Sequence, residues 1–118
     1  MSYSYLASPY TNPDDLTDRL YCELRFAEAC AAAAKLMTRG ENIFCPIAHS
    51  HPIAAYLPAD LLCDHQFWLA QDFALLEKAE RLIVLKMHQW ERSYGIMQET
   101  MFAKKHGIPI TYLDPVVL

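Results

Sequence analysis

A chain of 118 residues, 53% of them hydrophobic, with a formal net charge of −4, can bury one core and needs no second domain. Its ten Lys and Arg residues are not clustered, which argues against a nucleic-acid polymer as partner. No stretch reads as a membrane span, and Met1 to Ala7 runs straight into a strand-like segment rather than a signal peptide, so a cytoplasmic protein is expected.

In chain order, Tyr3 to Ala7 reads as strand one, and Ser8-Pro-Tyr-Thr-Asn-Pro13 as a loop. Asp14-Asp15 offer a helix start with acidic residues at its positive end, and the helix should run to about Arg39, with Gly40 as its stop. Its alanine run, Ala29 to Ala34 broken only by Cys30, suits either close helix approach in a subunit contact or plain helix propensity. Asn42 to Ala48 reads as strand two, followed by a long loop, His49 to Pro58, with two histidines. A second helix is expected from Pro58 to about Glu80. Its stripe of Leu61, Trp68, Leu75, Leu76 and Ala79 is interrupted by Asp72. Arg81 to Met87 reads as strand three, and Ile108 to Leu113 as strand four. Between them Trp90 opens a helix ending near His106-Gly107, with Ser93 as N-cap and Gly95 allowing close approach at its start. Ile96, Glu99 and Ala103 share one face of it, so a carboxylate interrupts a second apolar stripe.

This order predicts an α/β three-layer sandwich in one domain, residues 1–118, with a small four-stranded parallel sheet in the flavodoxin-like order 2-1-3-4. Ligands of such sheets bind beyond the carboxyl ends of the strands, at the switch between strands one and three. The loop from Ser8, the histidine loop and the Glu91 to Gly95 turn all fall at that edge. Glu99 leads the candidates for chemistry, because a buried carboxylate without partners has a negotiable charge. Asp72 is the second such intrusion. At this size, uncovered apolar faces point to a homo-oligomer, a dimer or tetramer.

Other constellations carry less. Cys22, Cys30, Cys45 and Cys63 have no C-x-x-C spacing, and free thiols are expected rather than disulfides. Cys45, His49 and His51 lack a zinc spacing, so the histidines are read as hydrogen-bonding groups, and no metal or cofactor is expected. Neither a Walker motif nor G-x-G-x-x-G is present. The amides of Ser93 to Gly95 suit either a phosphate or a solvated cap. Tyr5, Tyr10 and Trp90 lie where they either stack on a base or simply pack.

Tyr-Leu-Ala-Ser-Pro-Tyr at strand one, Asp72, and Ser-x-Gly-x-x-x-Glu-x-x-x-Ala from Ser93 to Ala103 together resemble the nucleoside 2-deoxyribosyltransferase superfamily, which includes nucleoside 5′-monophosphate N-glycosidases. The Phe-Cys-Pro-Ile-Ala-His-Ser-His run looks like a branch of small bacterial members with undefined substrates. The resemblance implies a double displacement on a nucleoside or nucleotide. Glu99 matches the nucleophile that attacks C1′, Asp72 the carboxyl that can protonate the leaving base, and Tyr5 the tyrosine that orients the nucleophile. Ser8, Tyr10, His49, His51, Trp90, Ser93 and Gly95 are the expected substrate-binding residues. Ser93 stands where the transferases often carry an acidic residue, and where the nucleotide hydrolases tend to carry a serine for the 5′-phosphate. The first loop lacks the arginine those hydrolases use, so His49, His51 or Arg19 must supply positive charge. The alternatives are a non-catalytic nucleotide or sugar-phosphate binding module on the same scaffold, or a structural subunit.

Overall fold

The apolar runs of the sequence become four short strands: β1 (Ser4–Ala7), β2 (Ile43–Phe44), β3 (Arg81–Leu85) and β4 (Ile110–Leu113). The computed structural model, which describes residues 1–118, joins them in one all-parallel sheet of order β2-β1-β3-β4. Five helices connect them: α1 (Arg19–Thr38), α2 (Pro46–Ala54), α3 (Ala59–Leu62), α4 (His65–Leu76) and α5 (Tyr94–Lys105). No helix is long and apolar enough to cross a membrane.

Side chains alternate across the sheet and so build two cores. Leu6, Ile83 and Leu85 pack against Ala29, Ala32, Ala33 and Leu36 of α1. Tyr5, Ala7, Leu82 and Val84 face the other way, against Leu76 of α4 and Ile96 and Ala103 of α5. The result is the expected three-layer α/β sandwich. The small residues of the alanine run bring α1 close to the sheet, so an internal contact accounts for Ala29, Ala32 and Ala33.

Strand three stops at Leu85 and the helix before it at Leu76, short of Met87 and Glu80, and four larger differences from expectation each have a local reason. Helix α1 starts at Arg19, not at Asp14-Asp15. Asp15 instead takes the backbone N–H and hydroxyl of Thr17 in a turn, and Asp18 caps the helix by accepting from the Tyr21 amide. Strand two stops at Phe44, and the expected histidine loop is mostly helix α2. Pro46 occupies its first turn, where a missing N–H costs nothing. Cys45 therefore precedes a helix rather than lying in a strand. The long second helix breaks at Cys63, because Asp64 accepts from the amides of Gln66 and Phe67 and starts α4 afresh. Trp90–Arg92 is a separate 3-10 turn before α5.

A clamp crosses from α1 to the turn after β3. The buried Arg25 guanidinium donates to the His88 carbonyl at 3.0 Å and to Glu28 at 2.9 Å, and lies over the Tyr21 ring at 4.7 Å. The Tyr21 hydroxyl donates to Gln89 Oε1 at 3.0 Å, and Gln89 holds a left-handed backbone with φ of 65°. For a non-glycine residue that conformation is uncommon and needs such support.

Candidate active site

The segments that leave β1, β2 and β3 converge on a cleft of about 1190 Å³, counted out to its open mouth. It lies beyond the carboxyl ends of the strands, where the strand order reverses.

Ser93 caps α5 by accepting from the Ile96 amide at 3.2 Å, which sets the helix phase so that Ile96, Glu99 and Ala103 turn inward. Glu99 is only 5% exposed, yet it lines the cleft. The Tyr5 hydroxyl, from the centre of β1, donates to Glu99 Oε2. Glu99 Oε1 lies over Gly95: a Cβ added there would sit 3.9 Å from that oxygen and 3.9 Å from Ser93 Oγ. Gly95 thus places no side chain between the carboxyl and the space above it. Asp72, half-buried on α4, lines the same cleft.

Burial decides the protonation of both carboxyls. It lifts Asp72 from its ordinary 3.8 to about 6. It lifts Glu99 from 4.5 to about 8, against the hydrogen bond from Tyr5, which favours the carboxylate, and with the charge of Asp72, which opposes it. Burial, and then the charges of Glu99 and Asp72, push the Tyr5 phenol well up, so it stays a donor. In the window between these two carboxyls the pair holds one proton, mostly on Glu99.

Ser8 follows β1 directly, is 6% exposed, and presents the one buried side-chain oxygen with no hydrogen-bond partner. It lines the cleft. Such an atom costs stability unless something else completes it. Across the mouth, the Tyr10 hydroxyl meets His51 Nδ1 at 2.5 Å, and His51 Nε2 meets Glu23 Oε1 at 3.0 Å. Phe26 stacks on the His51 ring with centroids 4.3 Å apart. Arg19, at the start of α1, also lines the cleft.

The expected residues Glu99, Asp72, Ser8, Tyr10, His51, Ser93 and Gly95 thus meet in one place, with Tyr5 beneath. Two do not. His49 is exposed and packs on Phe44 at 5.7 Å, because helix α2 turns Ile47, His51 and Ala54 to the cleft and His49 away. Trp90 leans on Tyr112 at 5.7 Å and on the core, because its 3-10 turn points it towards β4. Cys45, His49 and His51 do not converge, and no group of His, Cys, Asp and Glu is set to hold a metal ion. All four cysteines are free, and burial pushes the Cys45 thiol up to about 11, away from nucleophilic use.

Leu62, His65, Trp68 and Leu69 form a wall that the sequence had not marked as a site. The signal was present: His65 and Trp68 lie seven and four residues before Asp72, on the same helical face.

The family model described as a domain of unknown function, DUF1937, matches residues 2–114. No curated protein matches the chain.

Proposed function

We propose that this chain, which belongs to the DUF1937 family, cleaves or transfers the N-glycosidic bond of a nucleoside 5′-monophosphate or nucleoside. The observation that carries this reading is the pairing in one cleft of buried Glu99, held by Tyr5 and open over Gly95, with Asp72 from a separate helix. Glu99 Oε1 attacks C1′ of the sugar. The C1′–N bond breaks, its electron pair stays on the base nitrogen, and the Asp72 proton neutralises the base. A glycosyl ester on Glu99 remains. Water or a second base then attacks C1′, its proton passes to the Asp72 carboxylate, the ester bond breaks with its electron pair returning to Glu99, and both carboxyls are restored. Low-dielectric walls strengthen the interaction of the carboxylates with an oxocarbenium-like transition state.

The reactive form carries its proton on Asp72 rather than Glu99. Because burial raises Glu99 further than Asp72, that form is the minor one of the singly protonated pair. A sugar cation developing beside Glu99 shifts the balance in its favour. The uncommitted Ser8 oxygen, Ser93 and the amide end of α5 supply donors for a 5′-phosphate. The reading carries with it a cytoplasmic location and a homo-oligomer. Exposed Leu20 and Leu24 on α1, and Met97 and Met101 on α5, support the second of these.

The test is a panel of nucleosides and 5′-monophosphates incubated with the protein, with free base measured by chromatography. Glu99→Gln and Glu99→Ala abolish release while retaining the fold; undiminished release in either overturns the reading. A second reading, a non-catalytic nucleotide or sugar-phosphate sensor, is favoured by the proton that Glu99 keeps at neutral pH. It predicts saturable binding with no free base over hours.

A further inference from the structure

The Tyr10, His51 and Glu23 chain fixes which way a hydrogen bond runs at the mouth of the cleft. A carboxylate can only accept, so the contact of His51 Nε2 with Glu23 Oε1 at 3.0 Å places the imidazole hydrogen on Nε2. In a neutral ring Nδ1 then has only a lone pair to offer. The Tyr10 hydroxyl, 2.5 Å away, must spend its hydrogen there. The ring is not free to turn, because its side chain is 11% exposed and Phe26 stacks against it. The phenol stays protonated, since burial pushes its titration up, with Cys22 and Glu23 adding and Arg19 opposing. What Tyr10 shows the cleft is therefore an oxygen with lone pairs and no hydrogen. The Cys22 sulfur borders that oxygen, but as a weak acceptor it does not draw the phenol hydrogen away from His51 Nδ1, which is 2.5 Å off.

The part of a ligand that meets this oxygen follows from the wall around it. His51 shares its helix face with Ile47 and Ala54, and Leu62 and Trp68 stand among the other residues of the same cleft. A flat group with apolar faces and a polar edge fits such a wall, as a nucleobase does. We infer that Tyr10, aimed by His51 and Glu23, selects a base that carries an exocyclic amino group, adenine or cytosine, over its keto counterpart. An amino group donates to the Tyr10 oxygen. A keto oxygen in the same place meets lone pairs and leaves two acceptors facing each other. Tyr10 is the group that touches the ligand, and His51 and Glu23 are positioning residues. This inference rests on the nucleoside or nucleotide reading above and gives its substrate class.

The test uses two matched pairs, adenosine with inosine 5′-monophosphate and cytidine with uridine 5′-monophosphate. Both calorimetric affinity and kcat/KM for base release are measured on the full chain. The wild type prefers the amino member by roughly tenfold or more, the worth of one directional hydrogen bond. Tyr10→Phe brings each pair near parity. His51→Ala does the same by freeing the phenol to donate. Glu23→Ala weakens the preference, and Glu23→Gln, whose amide oxygen still accepts from Nε2, restores it. Circular dichroism confirms that each variant is folded, and the Glu23 pair carries the test should Tyr10→Phe not fold. Amino preference in binding with no base release sinks the glycosidic chemistry and leaves this inference standing. Base release with equal treatment of both members, a preference that survives Tyr10→Phe, or binding of none of the four overturns it.

Discussion

The hydroxyl of Tyr5 donates to Glu99 Oε2 from a strand to a helix 94 positions later, in the floor of the cleft. That bond favours ionised Glu99 against the burial that keeps it neutral. Tyr5→Phe therefore drives the Glu99 pKa further above about 8 and shrinks the reactive fraction of the carboxyl pair. Turnover falls by roughly 10- to 100-fold, the worth of one or two pKa units of lost stabilisation. The alkaline limb of the rate profile moves to higher pH. A limb that stays put or moves down would show that the phenol does not govern Glu99.

In the proposed chemistry the reacting pair holds one proton, so kcat/KM in the wild type should be bell-shaped, rising near pH 6 and falling near pH 8. In Asp72→Asn only Glu99 titrates, relieved of a neighbouring negative charge. The bell becomes a single rise centred below 8, with no alkaline fall and a lower plateau. Persistence of the alkaline limb in that variant counts against the pairing.

Stability should report the same burial. The folded-state value of Glu99, about 8, lies above its ordinary 4.5, so the folded chain binds that proton more tightly than the unfolded chain. The contribution is complete below pH 4.5 and disappears as pH rises through 8. Asp72 acts in the same direction between its ordinary 3.8 and about 6. The melting temperature of the wild type therefore drops from pH 5 to pH 9, and Glu99→Gln flattens that drop. Parallel melting curves for the two proteins across this range would contradict it.

Gly95→Ala separates fold from function. The added Cβ finds ordinary contact distances of 3.9 Å, and alanine is the better helix former by about 1 kcal/mol. The melting temperature rises slightly, while base release falls because a methyl group now stands between the Glu99 oxygen and its substrate. Full activity in the alanine variant would mean that the sugar approaches from another side.

Much of this site can be read before any coordinates. Glu99 stood out because a three-and-seven spacing with Ile96 and Ala103 needs only helix geometry, and the strand order follows from alternating strands and helices. Helix α2 is hidden in the sequence because Pro46 falls within the run that reads as strand two, and Pro52 and Pro58 read as loop punctuation. Pro46 sits where no N–H is needed, and Pro52 lies in the last turn of a helix that ends at Ala54. With α2 concealed, the outward turn of His49 and the inward turn of His51 could not be told apart. The contact of His51 with Glu23 spans 28 residues and depends on how two helices dock, which local spacing does not encode.

The bracing of Gln89 by Tyr21 and of His88 by Arg25 ties a helix on one side of the sheet to the lead-in of the helix on the other. Force applied to the first is thus delivered to the carboxylate-bearing second without passing through the strands. A change at Arg25 would therefore loosen the lead-in to α5, and with it the placement of Glu99, as well as the protein as a whole.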